Sequence, residues 1–163
     1  MKYSLPYARL FGLCVAACIA GLDQWSKAAL VVLMQETGHP TDILPFFNLV
    51  IVHNTGISFG MFAHMQAWVP LVLTLSTALI VVFLFIWLLY ATEKPVIFAL
   101  AFIIGGAIGN IIDRVRLGSV TDFLDFHWDI YHWPAFNIAD SAIFIGVVLL
   151  VLISIVGPKP SAS

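Results

Sequence analysis

Two aspartates in the C-terminal half of the chain are candidates for acid–base catalysis. Asp122 lies in a Val-Thr-Asp-Phe segment, and Asp140 ends a Phe-Asn-Ile-Ala-Asp segment. Two carboxyl groups brought close together do not both ionise readily, so one keeps its proton while the other acts as a base. Such a pair can activate water against a peptide carbonyl. Taken singly, Asp140 is typical of a charge at a helix N-terminus and Asp122 of a solvated loop acid; together they indicate acid–base hydrolysis.

Other patterns for catalysis or metal binding are weaker. Ser141 and His132 would indicate a serine hydrolase, but no nucleophile elbow surrounds the serine. The histidines of the polar loops lack the spacing of zinc ligands, and Cys14 and Cys18 suit neither a disulfide framework nor a zinc site. The sequence therefore predicts no metal site and contains no cofactor motif.

The composition of the chain indicates the class of protein in which these aspartates lie. Of 163 residues, 61% are hydrophobic and 10% are charged, whereas an ordinary soluble domain has about 25% charged residues. A soluble fold of this size could not bury so much apolar surface, which excludes a soluble enzyme and a disordered tail. The net charge of −2 offers no basic surface for nucleic acid. We therefore expect a small integral membrane protein.

Four segments are apolar over the roughly 20 residues that a helix needs to cross a bilayer. They run over about 9–34, 67–91, 95–112 and 138–156. Polar loops over about 35–66 and 113–137 separate the first span from the second and the third from the fourth. The sequence predicts an all-α polytopic membrane protein with four transmembrane helices, as a single domain over residues 1–163.

The first polar loop is expected to form a small β-hairpin at the membrane surface. Residues 46–52 are a β-rich run, Asn54-Thr55-Gly56 has turn chemistry, and residues 57–62 are a second β-leaning piece. The second loop holds Trp128 and Trp133 among its acids, and such aromatic residues are typical of the headgroup level.

The placement of charge indicates an orientation and a working surface. With both termini in the cytoplasm, four basic residues lie inside and three outside, a slight agreement with the positive-inside rule. Five of the nine acidic residues fall between Asp113 and Asp140, and the second and third spans hold none. Because a charge at a helix centre costs about 2.5–3.5 kcal/mol, we expect the polar chemistry, including Asp23, Lys27 and Asn54, at one extracytoplasmic interface.

Five blocks in order resemble the lipoprotein signal peptidases, also called signal peptidase II, a family of bacterial membrane aspartic peptidases. The blocks are Asp23-Gln24-Trp25-Ser26-Lys27, His53-Asn54-Thr55-Gly56-Ile57-Ser58-Phe59, the ten residues from Gly105 to Arg114, Val120-Thr121-Asp122-Phe123 and Phe136-Asn137-Ile138-Ala139-Asp140-Ser141. They extend over nearly the whole chain, and the Gly-Asn-x-x-Asp-Arg block with the two that follow is highly specific. One departure is Ile57-Ser58, where family members often have two alanines.

The resemblance implies an aspartic endopeptidase that removes the signal peptide from diacylglyceryl-modified prolipoproteins, cutting just before the lipidated cysteine. The catalytic pair would be Asp122 and Asp140. Supporting or substrate-binding roles would fall to Asp23, Asn54, Asn110, Asp113, Arg114 and Asn137. The resemblance also implies no cofactor, a prolipoprotein substrate embedded in membrane lipid, no required oligomer, and a multi-pass position in the bacterial inner membrane with the active site at its extracytoplasmic face.

The residue types suit those supporting roles. We expect Asn54, on the surface hairpin, to bind the substrate backbone, and Asn110 and Asn137 to orient carboxylates. Asp113 and Arg114 are expected to form a charge pair that anchors the third span to the loop; direct contact with the substrate stays open as an alternative. Which aspartate is the base and which the acid stays open.

Two other classes of function stay open as alternatives. A small four-span proton-coupled transporter would carry its acid within a span, near the midplane. A non-enzymatic membrane scaffold would use the close-packing face of Gly105 and Gly109 for partner contacts. Neither needs two acids at one level. Cleavage of a diacylglyceryl precursor by the purified protein, measured beside proton-coupled flux in liposomes, separates the three.

Overall fold

The computed structural model describes residues 4–37, 41–56 and 68–156. Within these ranges the chain forms four long helices, α1 Ser4–Thr37, α2 Val69–Tyr90, α3 Lys94–Leu117 and α4 Ile138–Val156. All four are long and apolar enough to cross a membrane. The expected four-helix membrane architecture is therefore confirmed.

The third helix, α3, is the one around which the others pack. It is buried over most of its length and contacts α1, α2 and α4. Small residues let the backbones approach: a Cβ on Gly105 would lie 2.6 Å from the carbonyl oxygen of Ala16 in α1, and one on Gly146 in α4 would lie 2.7 Å from that of Ala99. A side chain at either position would push the helices apart. The close packing expected at Gly105 is confirmed.

The helix α3 extends further than the predicted third span. It ends at Leu117 and is capped by Gly118, whose backbone is left-handed (φ 72°) and whose N–H donates to the carbonyl oxygen of Arg114 at 3.0 Å. Glycine adopts this conformation without the steric cost of a Cβ, so it is a favoured helix stop. Asp113 and Arg114, expected at the start of the second loop, therefore lie in the last turns of α3.

The two polar loops combine into one antiparallel sheet. Its strands are β1 Thr41–Leu44, β2 Phe47–Asn54, β3 Val120–Trp128 and β4 Tyr131–His132, in the order β1-β2-β3-β4. The pairing of β2 with β3 joins the first loop to the second. The sheet thereby carries residues of both loops to the ends of α3 and α4.

The small hairpin expected in the first loop is confirmed, but β1 and β2 form it, and β3 extends it into a larger sheet. The β-rich run 46–52 does lie largely in β2, but β2 pairs with β1 on one side and β3 on the other. Residues 57–62, expected to be its partner, lie outside the described residues. The second loop, expected as an aromatic connection, supplies β3 because the backbone groups of a central strand need partners on both edges.

Candidate active site

Asp122 lies near the start of β3, where the strand is buried. Val52 of β2 is opposite it. Asn54, two residues further along β2, is therefore a diagonal neighbour on the same face, and its Nδ2 donates to Oδ2 of Asp122 at 3.0 Å. Nδ2 of Asn137 donates to Oδ1 of Asp122 at 2.7 Å. Both carboxylate oxygens thus accept a hydrogen bond, and the residue is only 2% exposed.

Asp140 is held by the N-terminus of α4. Asn137 is the residue before the helix, and its Oδ1 accepts the N–H of Asp140 at 2.9 Å, while Oδ2 of Asp140 accepts the N–H of Asn137 at 3.2 Å. This reciprocal pair is a capping box. Nδ2 of Asn110, in α3, donates to Oδ1 of Asp140 at 2.8 Å. The carboxylate is fixed at both oxygens beside a helix end that favours negative charge.

The two aspartates predicted to form a pair are brought to the two sides of Asn137. The side-chain amide of Asn137 contacts Asp122, and its backbone and side-chain oxygen contact Asp140. Nδ2 of Asn137 also lies 3.3 Å from Oδ1 of Asn110, so the two amides form one connected layer. The expectation that Asn110 and Asn137 orient carboxylates agrees with these contacts.

The environment of Asp122 shifts its ionisation. Burial raises the pKa of Asp122 from its ordinary value of 3.8 to about 6. The hydrogen bond from Asn54 opposes this shift because it stabilises the ionised form, whereas the negative charge of Asp140 adds to it. A carboxyl with a pKa near 6 can hold or release a proton close to neutral pH, as acid–base catalysis requires.

A buried ionic cluster lies behind the pair. Nζ of Lys27 is 2.8 Å from Oδ2 of Asp23 and 2.9 Å from Oδ2 of Asp113, and all three residues are buried. It also donates to Oδ1 of Asn110 at 3.3 Å. Nε2 of Gln24 donates to Oδ1 of Asp113 at 2.8 Å. These additional hydrogen bonds offset the cost of removing one cation and two anions from water.

Both acids of the ionic cluster also hold the backbone beside the paired aspartates. Oδ2 of Asp113 accepts the N–H of Thr121 at 2.9 Å, immediately before the aspartate of β3. Oδ1 of Asp23 accepts the N–H of Ala139 at 3.0 Å, immediately before the aspartate of α4. Because Lys27 contacts both acids, one ammonium group links the supports of the two carboxyls.

Two residues without a predicted role belong to the site: Lys27, which is expected at the polar interface only, and Gln24. A signal for Lys27 is present in the sequence: it follows Asp23 by four residues within an apolar run, the spacing at which side chains meet on one helix face. Charges in such a run are expected to pair. Gln24 has no comparable signal, since its partners in α3 are remote in sequence.

The expected charge pair between Asp113 and Arg114 is wrong. Within the part of the chain that the structure describes, Asp113 pairs with Lys27, and Nε of Arg114 is buried without a hydrogen-bond partner. Successive residues of a helix point about 100° apart, so these two side chains diverge. Asn54 donates from its amide to Asp122, and its Oδ1 accepts the N–H of Gly56 at 2.8 Å; its binding of the substrate backbone stays a prediction.

A cavity of about 410 Å³ opens beside Asp140. Its lining is almost wholly apolar, and includes Trp133, Phe136, Phe144 and Ile145. Asp140 is partly accessible there, while Asp122 is closed off behind it. Among the described residues no group of three or more histidine, cysteine or acidic side chains is arranged to hold a metal ion. The cavity therefore places an apolar surface beside the accessible carboxyl of Asp140.

Comparisons with known proteins agree on one family. The family model described as signal peptidase (SPase) II matches residues 15–156. The lipoprotein signal peptidase of Paraburkholderia phymatum is 46% identical over 138 residues, covering 84% of this chain and 82% of that one. That of Alteromonas mediterranea is 44% identical over 133 residues, covering 80% and 72%.

Two solved structures, both titled as bacterial membrane enzymes, share the fold. The first has a TM-score of 0.69 and 26% identity, and the match covers 91% of this chain and 94% of the other. The second has a TM-score of 0.63 and 27% identity, with 94% and 93% covered.

Proposed function

Since the chain belongs to the signal peptidase II family, we propose that it removes signal peptides from prolipoproteins by water activated between Asp122 and Asp140. Signal peptide removal is the activity that the family and its curated members support. The single observation that carries the residue assignment is the bridge of Asn137 between the two carboxyls. The transporter and scaffold alternatives are not favoured.

The proton of the pair resides on Asp122 in the reactive form. Burial raises the pKa of Asp122 and so favours its neutral form, while the two oxygens of Asp140 accept hydrogen bonds from the N–H of Asn137 and from Nδ2 of Asn110. Asp140 also faces the cavity through which a substrate and its water would arrive. We therefore assign the base to Asp140 and the acid to Asp122.

The two aspartates and one water molecule account for every proton that moves in the proposed reaction. Asp140 takes a proton from water, whose oxygen bonds to the scissile carbonyl carbon while Asp122 gives its proton to the carbonyl oxygen. Collapse of the tetrahedral diol breaks the C–N bond, and the nitrogen leaves with the proton that Asp140 took up. The diol proton returns to Asp122. During proton donation the hydrogen bond that Asp122 receives from Asn54 is replaced by one to the substrate.

The apolar cavity beside Asp140 fits a substrate that carries acyl chains. We propose that the scissile bond lies just before a diacylglyceryl-modified cysteine, with one chain against Trp133 and Phe144. Four apolar helices and the family make the chain a multi-pass protein of the bacterial inner membrane. Both termini would lie in the cytoplasm and the sheet at the extracytoplasmic face, with the whole chain acting as one domain and no partner copy required.

The test is cleavage of two synthetic precursors by the purified protein in lipid. One precursor carries the diacylglyceryl cysteine and the other an unmodified cysteine at the same position. We expect cleavage before the modified cysteine alone. Equal cleavage of both would remove the lipid requirement, and no cleavage of either by folded protein would overturn the proposed function.

A further inference from the structure

An open groove lies at the opposite end of the helices from the aspartate pair. It has a volume of about 610 Å³ and is lined by the first turns of α1 and α3. About sixteen residues of α3 separate Lys94, at this groove, from Asn110 at the site, which is about 24 Å along the helix axis. Neither the proposed reaction nor the ionic cluster uses this surface.

The groove has an apolar body and a cationic end. Leu10, Phe11 and Cys14 of α1 face Phe98 of α3 across it, and Lys94 stands at the first position of α3. The rings of Phe11 and Phe98 meet edge to face with centroids 5.6 Å apart, which makes a continuous aromatic wall between the two helices.

The position of the groove within the bilayer indicates which molecule occupies its apolar part. Leu10 and Phe11 are 61% and 57% exposed on a helix that crosses the membrane, so the groove opens to hydrocarbon. From Tyr7 to Cys14 the groove follows α1 for about 10 Å, within the half-thickness of about 15 Å of one leaflet. Water has no place at this depth, and a lipid acyl chain is the molecule available to occupy it.

The positive charge of Lys94 indicates which lipid headgroup the groove would bind. Among the described residues no carboxylate lies within ion-pair distance of Lys94, and the nearby guanidinium of Arg9 is already bound to the carbonyl oxygen of Ala91 at 3.0 Å. Lys94 is exposed at the end of the membrane helix, where phosphate groups lie. A basic side chain there attracts anionic lipid.

We propose that the groove between α1 and α3 binds one anionic phospholipid, its acyl chain against Phe11 and Phe98 and its phosphate at Lys94. The site is independent of the aspartate pair, and the lipid would brace the first turns of the two helices on the cytoplasmic side. Tyr7, which also lines the groove, adds a hydroxyl donor at the headgroup level.

The test is native mass spectrometry of the full chain, released from detergent containing equal amounts of phosphatidylglycerol and phosphatidylethanolamine. The wild type should retain one phosphatidylglycerol in preference to phosphatidylethanolamine. Lys94→Gln should reduce that retention about fivefold. The matched control is Arg116→Gln, which removes one exposed cation at the other end of α3 and should leave retention unchanged.

A second pair of variants tests the apolar body. Cys14→Phe fills the groove and should lower retention of both lipids, whereas Cys18→Phe, at an exposed position one turn along α1 and outside the groove, should not. Lack of headgroup preference in the wild type, or equal losses in Lys94→Gln and Arg116→Gln, would overturn the proposal. If Cys14→Phe does not fold, the comparison of Lys94→Gln with Arg116→Gln still tests the proposal, because both substitutions are at exposed positions.

Discussion

Asn137 donates from its side-chain amide to Oδ1 of Asp122 across 2.7 Å. The same residue immediately precedes α4 and exchanges two hydrogen bonds with Asp140. One asparagine therefore sets where both carboxyls lie, and it is completely buried. The helix cap fixes Asp140 locally, and the hydrogen bond from the amide of Asn137 brings Asp122 of β3 to the same residue.

Asp122→Asn and Asp140→Asn should each abolish cleavage of a diacylglyceryl precursor. Either change leaves an amide of the same shape that cannot exchange the proton, so we expect kcat to fall by at least about 100-fold. The measurement is precursor cleavage alongside thermal unfolding in the same lipid.

The matched control for these variants is Asp129→Asn, at an exposed position between β3 and β4. It should cleave at the wild-type rate. Near-normal turnover by a folded Asp122→Asn or Asp140→Asn protein would contradict the assignment of these two aspartates as the catalytic pair.

Activity should depend on pH through Asp122. If its protonated form is the acid, kcat/KM falls as pH rises through about 6, because the proton leaves the carboxyl whose pKa burial raises to about 6. Asn54→Ala removes a donor that stabilises the ionised form, so it raises this pKa further and moves the descending limb to higher pH. The measurement is a pH profile of each protein.

Asn48→Ala is the control for that profile, because Asn48 lies on the same strand but contacts Asp42 and His127. Its descending limb should coincide with that of the wild type. A rate that instead increases as pH passes through 6 would reverse the two roles and make Asp122 the base.

Lys27→Met should destabilise the fold. It leaves Asp23 and Asp113 buried without their cation, and such a loss costs about 3–5 kcal/mol. Neutralising both acids in the same protein, as Asp23→Asn with Asp113→Asn, should recover much of that loss because no buried charge is left. The free energy of unfolding in detergent measures both steps.

Arg116→Met supplies the comparison for Lys27→Met. Arg116 is exposed, and its one described hydrogen bond, to Oε1 of Gln24, is long at 3.4 Å. It should change the free energy of unfolding little. Equal destabilisation by the two substitutions would mean that the ionic cluster does not support the fold.

Sequence reasoning succeeds here where the physical cause is local or set by the solvent. The four helices follow from apolar length, and the cap at Asn137 lies three residues from Asp140. It fails where partners are remote in sequence. The pairing of β2 with β3 joins two loops, and Lys27 meets Asp113 only because α1 packs on α3. The predicted ion pair between Asp113 and Arg114 is wrong because side chains at positions i and i+1 of a helix do not face each other.

Gly106→Ala should lower activity by moving α4. A Cβ at Gly106 would collide with the backbone carbonyl of Ala139, the residue before Asp140. Because a backbone atom cannot rotate away, α4 must shift at the end that holds the carboxyl, and a displacement of about 1 Å can cost about 100-fold in rate. Cleavage kinetics and the free energy of unfolding measure the change. Gly21→Ala is the matched control, since nothing lies within 4 Å of its Cβ; wild-type kinetics in Gly106→Ala would contradict the close approach of α3 and α4.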